Sequence, residues 1–250
     1  MEYKMSQAAC TGRHHLAAGV PCQDKTALCR RENALCAALA DGAGSRARSA
    51  QGAARVTQCA AELLAEHFED LWTLENPALA GELVRTCLRA LEDLEPPIHE
   101  LACTLLFFAA HDDGRFLSGH LGDGVQILVR EERSAVFSPP ENGAYLNETF
   151  FITGEDAVRR LRLRRGRLEG PGALLLMSDG MGEALYQRDT GLPAPACRTI
   201  ARWLWEGDED TISQALEANM ERVFSKHSGD DLSLAVIAWS PEGEWDLPEG

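Results

Sequence analysis

Ala37-Ala-Leu-Ala-Asp-Gly-Ala-Gly-Ser45 closes an apolar run that begins at Leu35 and leads into a helical pattern from residue 46. The run from Leu35 to Ala40 is long enough for a buried strand. It delivers Asp41 to a tight turn in which Gly42 and Gly44 leave the backbone open to close approach by a ligand. The arrangement recurs far downstream in Leu174-Leu-Leu-Met-Ser-Asp-Gly-Met-Gly182. Two buried strands that each end in Asp-Gly suggest carboxylates converging on a divalent metal.

The bulk properties narrow the field. The chain has 250 residues, 45% of them hydrophobic, which is enough for a large core. Its net charge of −15, from 39 acidic against 24 basic residues, argues against nucleic acid or an anionic membrane as partner. No stretch approaches the roughly 20 apolar residues of a membrane span, and Met1–Cys10 lacks the pattern of a signal peptide, so a cytoplasmic location is expected. Eight cysteines occur without a Cys-x-x-Cys pair. Buried free thiols are expected, not a disulfide framework or a zinc site.

Taken in order, strands are predicted over 3–10, 26–31 and 35–40, with residues 11–24 a polar loop rich in Gly and Pro. Helices are predicted over 46–70 and 77–94, the second stopped by Pro96-Pro97. A continuous apolar run over 101–111 reads as a central strand, followed by hairpins through Asp112-Asp-Gly114 and over 125–137. Residues 138–156 read as irregular. Residues 158–167 alternate arginine with leucine, as a strand with leucines inward and arginines in solvent, or as a docking segment for an acidic or phosphorylated protein. A strand over 172–178, helices over 193–205 and 211–224, with Trp203 and Trp205 in the core, and a last strand over 232–239 complete the pattern. Local hairpins imply antiparallel sheets. One α+β domain over 1–240 is expected, with an acidic, poorly ordered tail over 241–250.

The chemistry gathers on Asp24, Asp41, Asp123, Asp179 and the pair Asp230-Asp231, each at a strand end or beside glycine. Asp-Gly also makes ordinary turns, and that reading suffices for Asp113-Gly114. Sheet-end carboxylates, however, are not left buried and unpaired. Hard oxygen ligands without a Cys/His set favour magnesium or manganese over zinc.

In order, Gln23-Asp24, Ala40-Asp-Gly-Ala-Gly44, Ala102-Cys-Thr104, Leu121-Gly-Asp-Gly124, Ser178-Asp-Gly180 and Gly229-Asp-Asp-Leu-Ser233 resemble the metal-dependent protein phosphatases of type 2C. The loop from Gly12 to Asp24 is similar to a compact bacterial branch of that family. The resemblance implies a four-layer α-β-β-α sandwich of two antiparallel sheets with a binuclear Mg2+ or Mn2+ centre at one end. It implies that Asp41 bridges both metals, that the Gly42 carbonyl joins the second, and that Asp179 and Asp230 complete the first. Asp24 would serve the second metal directly or through water, and Asp123 a third, weaker one. Asp231 stands where the family usually has asparagine, which leaves open whether Asp230 or Asp231 faces the metal.

Two departures matter. Ser45 replaces a glycine found in many members. Ala43 occupies the place where animal members often carry a histidine proposed as general acid. Protonation of the leaving oxygen would then fall to a metal-bound water or to His14, His15 or His120. Arg13 is the nearest candidate for the family's phosphate-gripping arginine, at unusual spacing from Asp24. The activity implied is hydrolysis of phosphoserine and phosphothreonine in proteins by a metal-activated water. Its partners would be a phosphorylated protein substrate and a cognate Ser/Thr kinase. The alternatives are a non-catalytic phosphatase-like regulatory module and a phosphatase of small phosphorylated molecules.

Overall fold

The computed structural model describes residues 1–130, 133–141 and 149–241. In chain order the elements are β1 (Glu2–Cys10), α1 (Arg13–Ala18), β2 (Lys25–Arg30), β3 (Ala34–Ala40), α2 (Ser49–Glu66), α3 (Phe68–Thr73) and α4 (Asn76–Glu92). Then follow β4 (Leu105–His111), β5 (Arg115–Leu121), β6 (Val125–Val129), β7 (Ser134–Ser138), α5 (Ala157–Arg160), β8 (Arg162–Arg167) and β9 (Gly172–Met177). The chain ends with α6 (Asp179–Leu185), β10 (Tyr186–Gln187), β11 (Leu192–Pro193), α7 (Ala196–Glu206), α8 (Glu209–Arg222) and β12 (Leu232–Ser240).

Two five-stranded antiparallel sheets, ordered β1-β12-β9-β6-β7 and β2-β3-β4-β5-β8, pack face to face. The unbroken apolar runs are explained by burial on both faces. In β3, Leu35, Ala37 and Leu39 enter the layer between the sheets, while Cys36, Ala38 and Ala40 face the helices. In β9, Leu174 and Leu176 point inward, and Ala173, Leu175 and Met177 point to the other helical layer. Period-2 alternation is present in the side-chain directions but hidden in the composition, because both sides are dry. The small side chains on the outer face of β3 let α2 approach closely through Ala53, Val56, Ala60 and Leu64. Each fully buried leucine contributes about 1.5–3 kcal/mol, so the three apolar layers supply most of the driving force. This is the four-layer α-β-β-α sandwich expected.

Several boundaries differ from the sequence reading. Residues 11–24 are not all loop, because α1 forms within them. The helix expected over 46–70 starts at Ser49, since 46–48 turn under the Ser49 hydroxyl, which donates to Arg46 O at 3.0 Å. It breaks at His67 and resumes as α3. The strand expected from Leu101 starts at Leu105, after a 3-10 turn over Ile98–Leu101 and a bridge from Cys103 to Gly42. Helix α6 was masked by its brevity and by the apolar strand running straight into it. Trp205 is buried as expected, but Trp203 is 37% exposed. All eight cysteines are free, six of them buried. The residues beyond 241 and part of the irregular 138–156 stretch lie outside the described residues.

The arginine-rich stretch splits into α5 and β8, an edge strand on β5. Leu161 is buried, but the arginines do not simply face solvent. Arg165 donates to Trp72 O at 2.8 Å and to Leu74 O at 2.6 Å, and Arg162 donates to Pro139 O at 2.6 Å. Arg160 lies over the Phe150 ring at 4.2 Å and pairs with Glu141. They tie loops to the sheet edge. Among the described residues no helix is long and apolar enough to cross a membrane.

Two glycines in helices give opposite expectations. A Cβ on Gly52 would lie 2.0 Å from Leu101 O, whereas one on Gly81 would meet nothing nearer than Arg85 Nη1 at 3.7 Å. Gly81→Ala should raise the melting temperature by about 2–4 °C, from about 1 kcal/mol of helix propensity. Gly52→Ala should lower it by at least as much, as thermal unfolding of the two variants will show.

Candidate metal centre

The strand ends assemble one cleft. Asp41 follows β3, Asp123 precedes β6, Asp179 opens α6 directly after β9, and Asp230 stands just before β12. All four line a cavity of about 420 Å³, together with His15, Gln23, the 42–45 turn, Thr149 and Phe151. The backbone holds the first turn firmly: Asp41 N–H donates to Thr104 Oγ1 at 2.8 Å, and Thr104 N–H returns to Asp41 O at 2.9 Å. Ala43 N–H donates to Ala102 O at 2.9 Å. Gly42 is obligatory, since a Cβ there would sit 2.9 Å from Ser49 atoms. On the opposite side, Ser178 N–H donates to Ser233 O at 3.2 Å and Ser233 N–H to Ser178 Oγ at 3.1 Å, locking the ends of β9 and β12 together.

Asp24 is 1% exposed and lies behind Asp41, beside the Ser178 and Ser233 side chains. Among the described residues its Oδ2 is buried without a hydrogen-bond partner, as is Oδ1 of Asp123, whose other oxygen accepts from Thr149. Burial, opposed by the Ser178, Ser233 and Asp41 side chains, pushes the Asp24 carboxyl up to about 6. Burial and the charges of Asp123, Asp230 and Asp24 push Asp179 up to about 8. Asp41 is raised well above the carboxylate range by burial and then by Asp24, Asp179 and Asp123.

Burial leads in each case, and neighbouring carboxylates add to it for Asp41 and Asp179. Among the described residues lining the cleft there is no lysine or arginine. Orphaned hard oxygens in a like-charged group fit a divalent cation bound through oxygen. As they stand, no three His, Cys, Asp or Glu side chains among the described residues converge tightly enough to grip an ion.

The pair at the start of β12 divides its labour. Asp231 is 2% exposed and turned away from the cleft lining. Its Oδ1 accepts from Gly12 N–H at 2.7 Å, and its Oδ2 accepts from Gln23 N–H at 2.6 Å and His15 Nδ1 at 2.9 Å. Asp230 is therefore the member that reaches the cleft. Close approach depends on glycines: a Cβ on Gly12 or on Gly180 would lie 2.2 Å from the backbone of Asp230 or Asp231, respectively.

A family model described as Protein phosphatase 2C matches residues 11–221. The chain belongs to the protein phosphatase 2C family. Over 256 residues it is 30% identical to Serine/threonine-protein phosphatase 3 of Escherichia coli (strain K12), covering 96% of this chain and 100% of that one. Among solved structures it is similar to the serine/threonine phosphatase Stp1 from Staphylococcus aureus, with a TM-score of 0.64 and 14% identity over 96% of each chain. It is also similar to RsbX in complex with magnesium, with a TM-score of 0.59 and 14% identity over 95% of this chain and 96% of that one. These two likenesses are of fold.

Within this phosphatase 2C, the basic candidates separate. Arg13 does not join the cleft. Its guanidinium donates to Ser228 O at 3.4 Å and lines a second cavity with Cys10, Cys22, Glu217 and Glu221. The phosphate-gripping role suggested for it finds no support in that placement, and the spacing from Asp24 already departed from the family's. His14 packs its ring on Gly229, where a Cβ would lie 2.3 Å away. His120 is buried, with Nδ1 2.8 Å from Ser138 Oγ. Burial and the nearby Arg162 push it down to about 3, so it is held neutral. Of these three histidines, only His15 lines the cleft. The sequence reading passed over Thr149, Phe151 and the tethering role of Asp231. Thr149 and Phe151 lie in an irregular stretch with no periodic signal, whereas the doubled Asp230-Asp231 was a visible hint.

Two outcomes test this electrostatic picture. In chelator-treated protein, Asp179→Asn should raise the melting temperature by about 3 °C or more, because asparagine stays neutral where burial and the neighbouring carboxylates disfavour a charge. A lower value would mean that the carboxylate is compensated by other groups. For His120 the folded value lies below the unfolded one, so the unfolded chain takes up the extra proton and stability is lost as pH falls below about 6.5. Between pH 7 and pH 5, His120→Asn should lose about 2 kcal/mol less unfolding free energy than the wild type, measured by urea titration.

Proposed function

We propose that this protein serine/threonine phosphatase hydrolyses phosphoserine and phosphothreonine monoesters in proteins at a binuclear magnesium or manganese centre in the acidic cleft. The observation that carries the reading is the group of Asp41, Asp123, Asp179 and Asp230 sharing one cleft that, among the described residues, no lysine or arginine lines. Asp41 and the Gly42 carbonyl, with Asp179 and Asp230, are the residues that would hold two cations. Asp24 would orient Asp41 or serve the second cation directly or through a water, and Asp123, hydrogen-bonded to Thr149, would serve a third, weaker one. Bound there, hard divalent cations supply Lewis acidity that activates water and neutralises phosphoryl charge.

The chain's own residues set the conditions. Thr104 and the Ala102 carbonyl fix the 41–43 turn, so the Asp41 carboxyl is aimed without rearrangement. Gly44 leaves room above the turn for a substrate: a Cβ there would meet nothing nearer than 3.9 Å. No cysteine lines the cleft among the described residues, which favours direct hydrolysis over a phosphocysteine route. The name of the Escherichia coli relative supports serine and threonine phosphoesters, and the magnesium complex of RsbX supports a hard divalent ion.

Hydrolysis of p-nitrophenyl phosphate and of a phosphoserine peptide, each with magnesium or manganese, tests the reading. Asp41→Asn and Asp179→Asn should each lower kcat/KM about 100-fold or more, and Asp24→Asn about 10–100-fold. Wild-type protein that stays silent with both ions and both substrates would sink the enzyme reading, and full activity in both Asp41→Asn and Asp179→Asn would sink the ligand assignment.

A further inference from the structure

We infer that Asp231 is a positioning residue that holds His15 as the proton donor to the leaving serine or threonine oxygen. The inference rests on the hydrolysis proposed above and adds the group that completes it. A seryl alkoxide is a poor leaving group, and a positioned acid in this role contributes about 10²–10⁴-fold. The turn after Asp41 carries Ala43, which has no proton to give. Among the described side chains lining the cleft, His15 carries the one imidazole, a group that can both give and take a proton.

The ring is aimed, not merely nearby. His15 Nδ1 lies 2.9 Å from Asp231 Oδ2, so Nδ1–H donates to the carboxylate and Nε2 is the nitrogen left for a substrate. The His15 side chain is 20% exposed, while that of Asp231 is 2% exposed. The carboxylate cannot swing away, because Gly12 N–H holds Oδ1 and Gln23 N–H holds Oδ2. The short helix that carries His15 is pinned as well. His14 N–H donates to Gly229 O at 2.9 Å, and Val20 N–H donates to His15 O at 2.9 Å. A buried carboxylate orienting an imidazole is the logic by which catalytic histidines are held in one tautomer.

The same hydrogen bonds explain why this position is aspartate. All three partners of Asp231 are donors, two on one oxygen and one on the other. An asparagine would set its own NH2 group against Gly12 N–H, or against both Gln23 N–H and His15 Nδ1–H. Either orientation loses a buried acceptor. An asparagine here could accept from Gly12, or from Gln23 and His15, but not from all three.

In the step itself, the oxygen of the attacking water bonds to phosphorus as the phosphorus–seryl oxygen bond breaks. The electron pair of the broken bond goes to the seryl oxygen, which takes the proton from His15 Nε2. The proton released by the water restores Nε2–H. One water is consumed, and free serine and inorganic phosphate leave.

The test compares a phosphoserine peptide with p-nitrophenyl phosphate, whose leaving group needs little protonation, at saturating manganese. His15→Ala should lower the ratio of kcat for the peptide to kcat for p-nitrophenyl phosphate about 100-fold, and added imidazole should restore part of the peptide activity. Asp231→Asn should lower the same ratio about 10-fold, with manganese affinity by calorimetry within about threefold of wild type. Equal losses on both substrates, or an unchanged ratio in His15→Ala, would overturn the inference. If Asp231→Asn does not fold, His15→Ala still decides the donor, and His15→Gln shows whether packing alone restores the ratio, which it should not. A wild-type protein inactive on both substrates overturns the proposed hydrolysis itself, and this inference with it.

Discussion

Repulsion among four carboxylates is the constraint that the rest of this structure answers. Asp41, Asp123, Asp179 and Asp230 face one cleft, and burial makes their mutual repulsion stronger than it would be in water. A lone loop could not hold them together. Each is instead attached to the end of a central strand whose two faces are dry, so the large apolar layers hold them in place. Burial first, and then the charges of Asp123, Asp230 and Asp24, raise the affinity of Asp179 for a proton. Stability is sacrificed locally for a site that binds positive charge, as functional sites commonly require.

Much of this was legible in the amino-acid sequence, and the reasons are specific. Apolar runs over 35–40 and 174–177 that end in Asp-Gly could be nothing but buried strands delivering carboxylates, because their length is too short for a helix and their composition too apolar for an edge. The order of the motifs then identified the family. Less accessible were features set by contacts distant in sequence. Residues 13–18 form a helix because Gly12 is tied to Asp231 and His14 to Gly229, partners more than 200 residues away. Arg13 looked like a phosphate grip until that helix carried it to another cavity. His120 looked free until β7 brought Ser138 to its ring.

The paired aspartates show how one ambiguity resolves physically. The two adjacent carboxylates, in the bend just before β12, point to different places. Asp230 takes the cleft, and Asp231 takes three donors in the interior. The arginine stretch resolved in a similar way. Alternation with leucine suggested arginines in water, but several reach across loops and rings, where a planar guanidinium can satisfy carbonyls that would otherwise lack partners.

The first and last strands of the described chain, β1 and β12, pair along their whole length, from Glu2 opposite Ser240 to Cys10 opposite Leu232. That register brings Gly12 to Asp231 and closes the cleft from the side of Asp230. A growing chain on the ribosome possesses Asp41, Asp123 and Asp179 well before it possesses this closure. Until the segment through residue 240 has left the exit tunnel, the loop bearing His15 and Asp24 lacks its ties to Gly229 and Asp231. In a nascent chain, the tether from Asp231 to Gly12, Gln23 and His15 is therefore the last part of the cleft to form.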